Sequence, residues 1–110
     1  MLKKKYVKSR NKSQVTFELS KSELPEGIKV ASVHLVGEFN DWDVTATPMT
    51  RGKDGVFRAT LELEAGREYQ FRYLVDGEHW HNDWHADAYV PNGLGEDNSV
   101  VATQGEERLP

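Results

Sequence analysis

The segment from Gly77 to Tyr89, GEHWHNDWHADAY, concentrates side chains that can do chemistry. It places three histidines, two tryptophans and three carboxylates within thirteen residues. Imidazoles and carboxylates bind metals and carry protons, whereas indole rings offer broad apolar faces. The segment is therefore compatible with three kinds of site: a metal centre, a catalytic cluster, or a surface that holds a flat ligand.

The histidine spacing does not favour a metal centre. His81 and His85 lie four residues apart, a spacing that brings two side chains together only on a helix. No segment of the chain has a convincing 3.6-residue apolar stripe. His79 and His81 would share one face of a strand, which gives two ligands and no more. We expect no metal site and no cofactor, and we interpret the histidines and aspartates of this segment as a polar rim.

The carboxylates allow a hydrolase hypothesis, which the sequence does not favour. Glycosidases use two positioned carboxyl groups, one of them with a raised pKa. The candidate pairs are Asp41 with Asp43 and Asp83 with Asp87, and both lie in polar, turn-like sequence that does not raise a pKa. The chain has no GxSxG elbow and no phosphate-binding loop. We expect no catalytic residues and no intrinsic enzyme activity.

The tryptophans favour the third kind of site. Trp42, Trp80 and Trp84 lie outside the alternating apolar runs, in predicted loops or at loop edges. Loops often carry function, and an indole face suits the C–H-rich face of a pyranose ring. The alternative is that each tryptophan caps an end of the core. Arg72, predicted on the outward face of a strand, would be a donor to sugar hydroxyls or an ordinary exposed residue.

Alternation of apolar and polar residues with period two predicts the elements that position these side chains. Turn signals separate the runs, for example KDG at 53–55 and VDG at 75–77. Short strands divided by such turns predict an all-β fold, an antiparallel β-sandwich. The predicted strands span residues 14–19, 33–38, 57–64, 68–75 and 98–102, and the other turn signals are PEG at 25–27, EAG at 64–66 and PNG at 91–93.

Length and charge limit the remaining possibilities. A chain of 110 residues without cysteine suits one domain with no disulfide. Residues 1–12 carry six Lys/Arg and no acid, and we interpret them as a solvated basic arm, with contact to an anionic partner as the alternative. The rest of the chain has a net charge of −10, which disfavours nucleic-acid binding. No apolar run has the length of a membrane span, and no h-region follows the basic start, so we expect a cytoplasmic protein. The sandwich is assigned to 13–103 and a C-terminal tail to 104–110.

Three motifs in order resemble carbohydrate-binding module family 48. They are VHLVGEFNDWD at 33–43, LEAGREYQFRYLVDG at 63–77 with a tryptophan just after, and LGEDNSVV at 94–101. This family is of the isoamylase N-terminal, early-set type and includes kinase-associated glycogen-binding domains. The resemblance covers roughly residues 33–102. It implies a single immunoglobulin-like β-sandwich and binding of α-1,4-glucans such as glycogen or starch.

The resemblance also implies which side chains bind the glucan. In the glycogen-binding branch the site uses two tryptophans, a basic strand residue, and a leucine and an asparagine of the last loop. Arg72 stands where that branch has lysine, and Glu96 stands where it has threonine. Trp84 has no counterpart, and it either adds a platform or replaces Trp80. The implied carbohydrate-binding residues are Trp42, Arg72, Trp80, Trp84, Leu94 and Asn98.

Two other functions remain open at this point. The sandwich could be a protein-interaction or regulatory domain, which binds a protein partner through its aromatic surface or a sheet edge. It could also be an accessory domain of a glucan-processing enzyme. The positions of two indoles discriminate, because exposed, converging Trp42 and Trp80 favour sugar, whereas buried ones favour protein interaction.

Overall fold

The computed structural model describes residues 1–24 and 30–103, which form an immunoglobulin-like sandwich of two antiparallel sheets. One sheet has the strand order β1-β2-β5-β4, and the other has the order β3-β6-β9-β8, with β7 also paired to β6. The strands are β1 Leu2–Val7, β2 Lys12–Leu19, β3 Val33–Gly37, β4 Thr50–Arg51, β5 Phe57–Glu64, β6 Glu68–Val75, β7 His79–His81, β8 Ala88–Pro91 and β9 Asp97–Ala102.

The core lies between the two sheets and is built by the alternation read from the sequence. Strand β2 contributes Val15, Phe17 and Leu19, all fully buried, and β6 contributes Phe71 and Tyr73. Phe71 meets both Phe17 and Tyr73 edge to face, with ring centroids 5.0 and 5.7 Å apart. Because successive side chains of a strand point to opposite faces, Arg72 and Gln70 must lie on the outer face of the second sheet.

The predicted strands are confirmed, two of them with their predicted bounds. Residues 57–64 and 68–75 form β5 and β6, while β2, β3 and β9 contain the other three runs to within a residue or two. Positive φ angles occur at Gly55, Gly66, Gly77 and Gly93, where four of the turn signals were read. The PEG signal at 25–27 and the predicted tail at 104–110 lie outside the described residues.

The basic segment at the start is not the solvated arm that the sequence predicted. Leu2–Val7 form β1, which pairs with β2 along its whole length. Four of the six cations of the basic segment pair with carboxylates of the described residues, for example Lys4 Nζ, which is 2.5 Å from Asp87 Oδ2, and Arg10 Nε, which is 2.9 Å from Glu62 Oε1. The charge asymmetry thus supports a strand, because the body supplies the carboxylates that the segment lacks. No helix within residues 1–24 and 30–103 is long and apolar enough to cross a membrane.

Candidate functional site

An open depression of about 430 Å³ lies on the outer face of the second sheet. Trp42 and Trp80 are 38% and 44% exposed, and both line it. Five other residues from β6, the last loop and β9 line the same depression. Three of them were predicted as binding residues, Glu96 was noted as a departure from the glycogen-binding branch, and Asn92 was not predicted. We call it the Trp42–Trp80 depression; its lining residues are Trp42, Arg72, Trp80, Asn92, Leu94, Glu96 and Asn98.

Trp42 is presented by a tight turn after β3. The side chain of Asn40 fixes this turn, since its Oδ1 accepts from Gly37 N at 3.1 Å and its Nδ2 donates to Leu35 O at 2.9 Å. Asp41 and Trp42 then have φ angles of 56° and 58°, in the left-handed region. Non-glycine residues there carry backbone strain, which the surrounding hydrogen bonds must hold. The turn that exposes this indole therefore lowers the folding stability of the chain.

Gly37 allows this turn to lie close to the second sheet. A Cβ at that position would lie 2.6 Å from Gln70 O and 2.8 Å from the Cβ of Phe71. Any larger residue would push the GEFNDW segment away from β6. The glycine of the motif is thus required by close backbone approach, not by its own φ, which is extended.

Trp80 is positioned by a three-residue strand. In β7 it lies opposite Leu74 of β6, so its side chain shares the outer face with Arg72. The Arg72 guanidinium carbon lies 5.8 Å from the centre of the Trp80 ring. The cation and the indole therefore form one continuous surface, in which each restricts the other.

Arg72 is more constrained than a free, exposed donor would be. Its Nη1 donates to Glu96 Oε2 at 2.7 Å, and the side chain is mostly buried. Its Nε is buried and has no hydrogen-bond partner among the described residues. Glu96, which was noted only as a departure from the glycogen-binding branch, is therefore the residue that holds the guanidinium in place.

The last loop presents Leu94 at its tip. Gly93 and Gly95 flank it with φ angles of 81° and 86°, and the leucine is 86% exposed. Asn92 closes the loop: its Oδ1 accepts from Leu94 N at 2.8 Å, and its N–H donates to Glu96 O at 2.9 Å. Asn92 was missed from the sequence, although it belongs to the PNG turn that was recognised there.

Asn98 lies in the floor of the depression and is nearly buried. Its Nδ2 donates to Gln70 Oε1 at 3.0 Å. Part of its hydrogen-bonding capacity is thus used within the protein, so that it supports the surface as well as lining it.

Trp84 does not join this group. It is 58% exposed and lines a different depression, together with residues of the first sheet such as Lys3 and Arg58. Its ring packs near His81, with centroids 5.9 Å apart. Of the two tryptophans in the GEHWHNDWHADAY segment, the structure brings only Trp80 to Trp42.

Asp83 separates the two tryptophans and is not the polar-rim residue that the sequence suggested. It is fully buried. Its Oδ2 accepts from the Tyr73 hydroxyl at 2.7 Å, and its Oδ1 accepts from His85 N at 2.7 Å. Its own N–H donates to Ser99 Oγ at 3.0 Å. Burial is the first cause that raises the pKa of Tyr73 well above its usual value, and the Asp83 charge adds to it. The carboxylate anchors the turn to the core.

Two other side chains from the segments considered for chemistry, Asp43 and His81, have lowered pKa values. Hydrogen bonds from the Thr45 backbone and hydroxyl lower the pKa of Asp43, which opposes a role as proton donor. Burial lowers the pKa of His81, so this imidazole is neutral at pH 7. Within residues 1–24 and 30–103, no three His, Asp or Glu side chains are grouped as metal ligands would be.

Comparison with known families gives one match along most of the sandwich. The family described as carbohydrate-binding module 48 (isoamylase N-terminal domain) matches residues 29–90, which include Trp42, Arg72 and Trp80. Leu94 and Asn98 lie beyond the matched range.

Two curated proteins share parts of the sequence. The chain is 36% identical over 69 residues to the 5'-AMP-activated protein kinase subunit beta-1 of Sus scrofa, a match covering 63% of this chain and 52% of that protein. It is 56% identical over 32 residues to a 1,4-alpha-glucan-branching enzyme of Aspergillus oryzae, covering 29% of this chain and 5% of the enzyme. The chain thus spans about half of the first relative and a small part of the second.

A solved structure supports the fold alone. The crystal structure of ferric enterobactin esterase from Salmonella typhimurium superposes with a TM-score of 0.70 at 12% identity. The match covers 93% of this chain and 34% of the esterase.

Proposed function

The chain belongs to the carbohydrate-binding module 48 family, and we propose that it binds α-1,4-glucans at the Trp42–Trp80 depression without catalysing their hydrolysis. The observation that carries the proposal is the convergence of two exposed indoles on one open surface. The curated relatives are a kinase subunit and an α-glucan-branching enzyme, the second of which acts on an α-glucan by its name.

The binding mechanism follows from the groups that line the depression. Glucose rings stack on Trp42 and Trp80, which exchange hydrated apolar surface for contact with the sugar faces. The exposed part of the Arg72 guanidinium donates to hydroxyl groups at the ring edges. Leu94, which is 86% exposed at the loop tip, packs its apolar side chain against the glucan.

Specificity and affinity are shaped by the ion pair of Arg72 with Glu96. The carboxylate fixes the guanidinium over Trp80 and adds an acceptor at the rim. The depression is open, so much of a bound glucan stays in water and the affinity is modest. A protein-interaction role is the alternative, and it gains if the aromatic surface does not respond to sugar.

Titration with maltoheptaose, followed by tryptophan fluorescence and by calorimetry, tests the proposal. We expect a saturable change in fluorescence and heat at millimolar sugar. A wild-type protein that stays silent in both measurements refutes glucan binding and favours the protein-interaction alternative.

Catalysis is tested separately. Glycogen or starch incubated with purified protein should release no reducing sugar. Turnover that survives purification and disappears on Asp43→Asn or Asp87→Asn, which change exposed carboxylates of the two candidate pairs, would contradict the binding-only proposal.

A further inference from the structure

The depression beside Trp84 has the chemistry of a second saccharide site. It encloses about 480 Å³ and shares no lining residue with the Trp42–Trp80 depression. Trp84, which does not line the Trp42–Trp80 depression, lines this one and is 58% exposed. We infer that this Trp84 depression binds a pyranose unit of an α-glucan; the choice of ligand rests on the proposed function.

The two depressions lie on opposite sheets. Glu18 and Arg58 are directly paired in the register of β2 and β5, and Glu18 alternates with the core residues Phe17 and Leu19. These two side chains therefore lie on the outer face of the first sheet. Arg72 and Asn98 line the other depression from the second sheet. One glucose unit cannot contact both sites, so they act as separate sites.

A buried acceptor without a partner points to a ligand at the Trp84 depression. Glu23 lines it and is only 6% exposed. Its Oε2 accepts from the N–H and the hydroxyl of Ser20, at 3.0 and 3.2 Å. Its Oε1 is buried and has no hydrogen-bond partner among the described residues. Such an oxygen is destabilising without a donor, and a sugar hydroxyl supplies the donor when the Glu23 side chain turns toward the depression that it lines.

The charge of the lining favours a neutral polyol over an ion. The Met1 ammonium, Lys3 and Arg58 stand against Glu18 and Glu23. The ammonium is already paired with the buried Asp83 Oδ2 at 2.7 Å, and Arg58 Nε is 2.6 Å from Glu18 Oε2. An anion would meet the Glu23 carboxylate, whereas a cation would meet Lys3 and Arg58. Sugar hydroxyls both donate and accept, so they match a lining that offers both signs together with an indole face.

Two sites on opposite sheets would make the module bivalent. A branched glucan presents many chain ends, so that one module holds two chains and the second contact becomes intramolecular. The apparent affinity for glycogen then exceeds the affinity for a single maltooligosaccharide at either depression.

Variants that separate the tryptophan signals test the inference. Trp42→Ala/Trp80→Ala removes both stacking faces of the first site and leaves Trp84 as the sole tryptophan, and Trp84→Phe leaves only the two tryptophans of the first site. Each is titrated with maltoheptaose, and with mannitol as a polyol that has no ring face; circular dichroism verifies the fold. We expect saturable fluorescence changes with maltoheptaose in both variants. Glu23→Gln, added to the Trp84-only variant, should weaken binding fivefold or more.

The outcomes are distinguishable. If Trp84→Phe responds, while the Trp84-only variant gives neither a fluorescence change nor binding heat, the second site is refuted and the proposed function stands. A response from the Trp84-only variant alone refutes the first site and supports the second. Silence of both variants refutes both, and an equal response to mannitol refutes saccharide recognition at Trp84.

Discussion

Two substitutions at Trp42 can separate the contribution of its indole to glucan binding from the backbone strain caused by its left-handed conformation. Trp42→Ala and Trp42→Gly both remove the indole from the Trp42–Trp80 depression. Loss of one aromatic stacking face costs about 1–3 kcal/mol by analogy with base stacking, or roughly 5- to 150-fold in affinity. We expect the two variants to lose maltoheptaose affinity equally, because neither side chain can stack.

Their stabilities should differ. At φ 58° an alanine retains the Cβ clash of the left-handed region, about 1–2 kcal/mol, which glycine avoids. Glycine lowers the free energy of unfolding by roughly 0.4–1 kcal/mol relative to alanine, because its unfolded chain has greater conformational entropy. At the midpoints of these ranges, we expect Trp42→Gly to be more stable than Trp42→Ala by about 0.8 kcal/mol, or roughly 3–6 °C in melting temperature.

Calorimetric titration measures the affinities, and urea denaturation followed by circular dichroism measures the stabilities. Both variants should remain folded, since Trp42 is 38% exposed and outside the alternating core. Unfolding of Trp42→Ala would show that the indole is a core residue. Equal stability of the two variants would refute the strain argument, and unchanged affinity would refute the stacking argument.

Three further predictions follow from the site and its support. Arg72→Ala should lower maltoheptaose affinity by about 1 kcal/mol, roughly fivefold, as measured by calorimetry. This loss is smaller than the loss in Trp42→Ala because water replaces part of the lost donor. A larger loss than in Trp42→Ala would contradict stacking as the main contribution to binding. Asp83→Ala should lower the unfolding free energy by about 3 kcal/mol in urea, since it leaves the buried Tyr73 hydroxyl without its acceptor; a neutral effect would contradict its anchoring role. Burial lowers the pKa of His81, so the unfolded chain binds the proton of this imidazole more readily than the folded protein does. The free energy of unfolding is therefore unaffected by His81 above its ordinary pKa of 6.5 and declines as the pH falls below that value. Between pH 7 and 5 the melting temperature of His81→Gln should fall less than that of wild type, and parallel curves would contradict this.

The sequence alone determined the strands whose alternation is local. Residues 57–64 and 68–75 each carry a complete apolar stripe bounded by turn residues, and this pattern specifies both the strand and its buried face. Arg72 could be assigned to the outer face for the same reason. The family motifs likewise predicted Trp42 and Arg72, which both line the depression, because GEFNDW and FRYLVDG are contiguous and each encodes a local turn or strand.

Tertiary structure alone decided what depends on distant partners. Strand β1 forms because its backbone pairs with β2 and its lysines lie near carboxylates of the acidic body. Strand β7 has only three residues, and its extended conformation depends on pairing with β6. Trp80 and Trp84 lie four residues apart and look alike in sequence. The buried Asp83 between them bonds to Tyr73 and Ser99, and this turn sends the two indoles to opposite sheets. Such contacts join residues 10 and 16 positions apart, and a local pattern carries no information about them.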